Sequence, residues 1–94
     1  MTKLITKKIT ITGKVQGVGY RYWLQKICIK NKIVGWVLNK SNGEVEATFC
    51  NVDENIFKDI LSDCFLGSSK SVVNNILVED TTTLKAPLGF EIRK

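Results

Sequence analysis

The sequence predicts an α+β domain: two helices lying on one face of an antiparallel sheet, in the split β-α-β order. Three observations predict it. The apolar period switches between two and about 3.6, in the order strand, helix, strand, strand, helix, strand, with a short terminal strand added. Asn42-Gly43 marks a hairpin between the middle strands, because both residue types tolerate positive φ. The composition, 44% hydrophobic and 24% charged over 94 residues, suits a single two-layer domain spanning residues 1–94.

The first strand sets Ile5, Ile9, Ile11 and Val15 on one side and Thr6, Lys8, Thr10, Thr12 and Lys14 on the other. Tyr20, Leu24, Ile27 and Cys28 then repeat at helical spacing, which predicts a helix from about Tyr20 to Asn31. Residues 33–40 are extended again. Val45, Ala47 and Phe49 alternate with Glu44, Glu46 and Thr48 in a third strand. Asp53 is placed to N-cap a second helix, with Phe57, Ile60, Leu61 and Cys64 as its apolar stripe and Gly67 as its stop. A polar loop follows at 68–71, then a fourth strand over Val72–Glu79. A loop over 81–89 holds the only proline, Pro87, and Phe90 with Ile92 begins a closing strand. The arrangement is ferredoxin-like. The helices are expected to cover the apolar face, leaving the threonine- and lysine-bearing face to water.

Composition narrows the chemistry. The chain has no histidine, which removes a histidine base, Ser-His and Cys-His nucleophiles and the common zinc sites. Cys28, Cys50 and Cys64 are an odd set without C-x-x-C spacing, in apolar contexts, and read as small hydrophobes. Asp53, Glu54 and Asp59 read as a cap and a solvated helix face rather than an acid pair; Trp23 and Trp36 read as packing. No apolar run approaches the ~20 residues of a membrane span. Met1–Thr12 alternates instead of forming the apolar block of a signal peptide, so a cytoplasmic protein is expected. The net charge of +5 is carried largely by scattered lysines and argues only weakly for nucleic acid.

The motif that carries chemistry is Gly13-Lys14-Val15-Gln16-Gly17-Val18-Gly19-Tyr20-Arg21. It joins the first strand to the first helix. A glycine-rich turn at a helix start exposes unpaired N–H groups and the positive end of the helix dipole, a natural anion site. Gln16, Gly17, Val18, Gly19 and Tyr20 are therefore the candidate phosphate-binding residues, and Arg21 supplies a guanidinium fork. The third glycine of a dinucleotide fingerprint is absent, with Tyr22 in its place, and so is the lysine of a P-loop. No cofactor is expected. Asn39 lies near the end of the second strand, in Gly35-Trp36-Val37-Leu38-Asn39. In this topology the ends of strands one and two share a sheet edge, about 10 Å apart across one intervening strand. Arg21 and Asn39 are thus expected to share a pocket. Phosphoryl transfer to water suits them, since it needs positioning and charge stabilisation rather than covalent help. Asn39 can orient a water but cannot act as a strong base, so the substrate must carry a good leaving group or supply the base through a phosphate oxygen.

These residues resemble the acylphosphatase family. The first block, the second block continued by Asn42-Gly43-Glu44-Val45, and the closing Gly89-Phe90-Glu91-Ile92 are similar in content and spacing, over about Lys8 to Arg93. The resemblance implies metal-independent hydrolysis of acyl phosphates, small-molecule substrates, with Arg21 binding phosphate and Asn39 orienting the attacking water. Inorganic phosphate or sulfate is expected at the same site. We expect a monomer with no nucleic-acid, membrane or metal partner. The chain departs from the family pattern in three places. Tyr20 stands where phenylalanine is more usual. Asn51-Val52 and Gly67-Ser68 stand where glycine-proline pairs are common, around helix two and, on the sequence reading, away from the pocket. Two other readings stay open. One is an RNA-binding module of the RNA-recognition type, which shares the strand order but needs exposed aromatics on strands one and three, where Thr10, Thr12, Glu44, Glu46 and Thr48 stand. The other is a non-catalytic regulatory domain binding phosphate or carbamoyl phosphate.

Overall fold

A computed structural model describes residues 3–94; Met1 and Thr2, at the head of the first alternating segment, lie outside the described residues. The elements are β1 (Leu4–Lys14), α1 (Tyr20–Lys30), β2 (Val34–Asn39), β3 (Val45–Asp53), α2 (Glu54–Leu66), β4 (Val72–Asp80) and β5 (Phe90–Arg93). One sheet has the order β4-β1-β3-β2-β5. The first four strands pair antiparallel, with Ile9 opposite Ala47 and Val78, and Val37 also opposite Ala47.

The sheet is mixed, not antiparallel throughout as the sequence suggested. β5 runs parallel to β2, with Val37 opposite Ile92. Connectivity explains this. β4 lies at one edge, antiparallel to β1, while β2 shares the direction of β1. The chain reverses through 81–89 and crosses to the other edge, so it arrives running the same way as β2.

The core lies between sheet and helices. Ile9, Ile11, Val37, Val45, Ala47 and Phe49 supply the sheet side; Leu24 and Cys28 of α1 and Phe57, Ile60 and Cys64 of α2 supply the other. α2 starts where the cap was expected: Asp53 Oδ1 accepts from the N–H of Asn55 at 2.8 Å and of Ile56 at 3.1 Å. It ends at Gly67, whose N–H donates to the Asp63 carbonyl at 2.9 Å.

The other sheet face is drier than the sequence implied. Thr48 is 4% exposed and Cys50 2% exposed. Strand alternation puts both on the helix-free face, and Cys50 is no part of the inter-layer core. Trp36, the register partner of Thr48, lies on that face with the Arg93 guanidinium 4.2 Å from its ring centroid. This cation–π pair roofs part of a face that would otherwise be open. Among the described residues no helix is long and apolar enough to cross a membrane.

Candidate active site

β1 ends at Lys14, and the chain turns through residues 15–19 before α1 begins. Gly17 and Gly19 make that turn at φ of 73° and 77°, a region side chains disfavour. An added Cβ at either glycine would meet nothing within 4 Å, so backbone conformation rather than space calls for glycine. Gly19 stands at the N-cap of α1 with no side-chain cap and no acidic residue in the first turn, unlike Asp53 before α2. Among the described residues, the N–H groups of Gln16–Tyr20 donate to no protein acceptor. The turn therefore keeps its donors free.

Three residues of the turn and helix start, Gly17, Gly19 and Tyr20, border a pocket of about 160 Å³. Gly17, Gly19, Tyr20, Arg21 and Asn39 all line it, so five of the seven residues singled out in the sequence meet there. Arg21 forms no ion pair among the described residues, whereas Arg93, the other arginine, pairs with Glu91 at 2.8 Å. Asn39 Oδ1 is buried and has no hydrogen-bond partner among the described residues. A desolvated, unpaired acceptor costs about 1–3 kcal/mol, and the residue that carries it lines the same small pocket as the unpaired Arg21. No His, Cys, Asp or Glu cluster among the described residues could hold a metal ion.

Gln16 and Val18 do not line the pocket; they brace it. Gln16 Nε2 donates to the carbonyls of Lys40 at 2.7 Å and Glu44 at 2.9 Å, tying the turn to the hairpin that begins just after Asn39. The Val18 carbonyl accepts from Ser68 Oγ at 3.0 Å. Ser68 belongs to the segment that sequence reasoning put away from the pocket. The structure corrects that placement: the loop after α2 holds the glycine-rich turn directly. Tyr20 is 1% exposed, and its hydroxyl donates to the Cys64 carbonyl at 2.7 Å, so the tyrosine has the partner its buried hydroxyl needs. Burial pushes its phenol above the ordinary tyrosine range and the Cys64 thiol up to about 12, so Tyr20 remains a donor. Its ring packs on Trp23 at 5.3 Å. Sequence reasoning missed three lining residues as pocket residues: Val15, Tyr22 and Ile92. Tyr22 follows Arg21 at a position off the apolar stripe of α1, a signal that was there to be used.

Comparison with known proteins agrees with this geometry. The family model described as Acylphosphatase matches residues 7–92. An acylphosphatase of Bacillus licheniformis is 36% identical over 89 residues, 95% of this chain and 98% of that protein. The crystal structure of acylphosphatase from Bacillus subtilis superposes with a TM-score of 0.88 at 33% identity, covering 96% of this chain and 99% of that one. An acylphosphatase structure from Coxiella burnetii gives 0.87 at 26% identity, over 97% and 94% of the two chains. A match across nearly the whole fold, turn and hairpin included, leaves one conclusion: the chain belongs to the acylphosphatase family, enzymes that hydrolyse acyl phosphates.

Proposed function

We propose that Arg21 and the backbone N–H groups of Gln16–Tyr20 bind the phosphoryl group, and that Asn39 Oδ1 orients the water that attacks it. The water oxygen forms a bond to phosphorus as the bond from phosphorus to the acyl oxygen breaks. The acyl group departs as a carboxylate, and a water proton passes to a phosphate oxygen. A carboxylate leaves without protonation at neutral pH, since ordinary carboxyls have a pKa of about 4. No general acid is then required, and no carboxyl or imidazole lines the pocket. Fixed donors around the transferring group carry the catalytic load. The observation that carries this reading is that Asn39, whose Oδ1 is buried and unpaired, lines the same pocket as the unpaired Arg21.

The proposed reaction runs on small acyl phosphates without a metal, in a monomer, in the cytoplasm and without nucleic acid. A pocket of about 160 Å³ is small beside the ~300–1,000 Å³ of drug-sized sites. Cys28, Cys50 and Cys64 are free thiols, as suits a reducing compartment. The aromatic on the helix-free sheet face is Trp36 of β2, occupied by Arg93, while Glu46 of β3 is held near Lys40 at 3.9 Å; neither serves base stacking. The test is hydrolysis of acetyl and benzoyl phosphate by the parent, Arg21→Ala and Asn39→Ala proteins, with and without EDTA. Hydrolysis should survive EDTA and collapse in both variants. Activity lost to EDTA and restored by magnesium would overturn the metal-free mechanism.

A further inference from the structure

The pocket lining combines two chemically distinct sets of side chains, and the reading above leaves the apolar side chains without a role. Its polar half is Gly17, Gly19, Arg21 and Asn39; its apolar half is Val15, Tyr20, Tyr22 and Ile92. Val15 and Tyr20 are buried and form the floor. Tyr22 is 62% exposed and Ile92 39% exposed, so these two form an apolar rim facing solvent. They come from different elements, Tyr22 from the first turn of α1 and Ile92 from the edge strand β5. Lys26 Nζ stands 5.5 Å from the Tyr22 ring centroid, one helical turn on, and steadies that ring by a cation–π contact.

An acyl phosphate is likewise two-headed. With its phosphoryl group against the turn and Arg21, its acyl group must leave the polar half toward the open rim. Resting on the phosphate-binding role argued above, we propose that Tyr22 and Ile92 form the acyl subsite, and that it takes apolar, preferentially aromatic, acyl groups. An aryl group laid between the ring and the isoleucine removes exposed apolar surface on both partners. An acetyl group is too short to cover either. Selectivity between acyl phosphates is then set by two side chains that contribute nothing to holding phosphate.

The experiment compares kcat/KM for benzoyl and acetyl phosphate in the parent, Tyr22→Phe, Tyr22→Ser, Ile92→Ser and Arg21→Ala proteins, with melting curves for each. The benzoyl preference should persist in Tyr22→Phe and shrink about tenfold in Tyr22→Ser and in Ile92→Ser, the scale of a lost apolar pocket contact. An equilibrium readout accompanies it: phenylphosphonate should inhibit the parent more tightly than methylphosphonate, and the gap should close in Tyr22→Ser. Equal losses on both substrates in both serine variants, with no change in the inhibitor gap, would overturn the subsite while leaving the phosphate site standing if Arg21→Ala abolishes both activities. Arg21→Ala turning over both substrates at the parent rate would instead overturn the phosphate site and the subsite with it.

Discussion

Replacing Asn39 by alanine separates stability from turnover. In the folded enzyme Oδ1 is buried and unpaired. Leaving such an acceptor desolvated costs about 1–3 kcal/mol. Deleting the carboxamide removes that penalty but gives up the packing of three heavy atoms, about 2 kcal/mol at the scale of a methylene-sized group each. The two terms nearly cancel. In a domain of this size each kcal/mol moves Tm by roughly 4–8 °C. Asn39→Ala should therefore melt within a few degrees of the parent temperature. Phosphate should bind about as well as before, because Arg21 and the free N–H groups of the turn remain. Turnover should fall by about 100- to 1,000-fold, the scale seen when one polar group aimed at the reacting atoms is removed. The assay is a melting curve, a phosphate inhibition constant and a turnover number for both proteins. A variant that melts several degrees lower and still turns over acyl phosphate at the parent rate would refute the reasoning and make Asn39 a structural hairpin residue.

The remaining predictions concern the groups around it. Arg21→Lys keeps the charge but loses the planar fork, and steady-state kinetics should show a loss of about 100- to 1,000-fold in kcat/KM with weaker inhibition by phosphate. Gln16→Ala and Gln16→Glu both remove the donor that ties the turn to the hairpin. Each should lower kcat, and far less so in an Asn39→Ala background, where the group being positioned is gone; a double-mutant cycle on kcat measures that coupling. Ser68→Ala releases the Val18 carbonyl, and should lower Tm by roughly 4–8 °C for a bond worth about 1 kcal/mol. It should also weaken phosphate binding, which a titration followed by melting detects.

Much of this was legible in the sequence because it rests on short-range rules. The 3.6-residue repeat from Tyr20, the Asp53 cap and the Gly67 stop each depend on a few neighbouring residues, and the helices begin and end within a residue of them. The meeting of Arg21 with Asn39 followed from strand order, which local pattern fixes well. What could not be read depends on partners far along the chain. The direction of β5 is set by which edge it reaches, not by Phe90-Glu91-Ile92-Arg93 itself. Thr48 alternates as a solvent-facing residue does, and is buried because Trp36 and Arg93 occupy the same sheet face; Cys50 packs as its apolar context led one to expect. Gln16 was placed in the phosphate site through its backbone. Its side chain serves the hairpin instead, a bond across 24 and 28 residues that no spacing rule announces.

The order β4-β1-β3-β2-β5 also says something about time. Its pairings join distant residues: Lys7 meets Asp80, 73 residues away, and Gln25 reaches the Phe90 carbonyl at 3.0 Å across 65. Folding rates fall as such separations grow, because loop closure is charged before the contacts that reward it. The glycine-rich turn sits just beyond β1, whose two neighbours are β3 and β4, and the rim needs β5. The pocket therefore has no early, locally assembled precursor. Its donors become fixed only as the sheet closes, so recovery of catalysis on refolding should track the slow, global phase rather than the fast formation of helices.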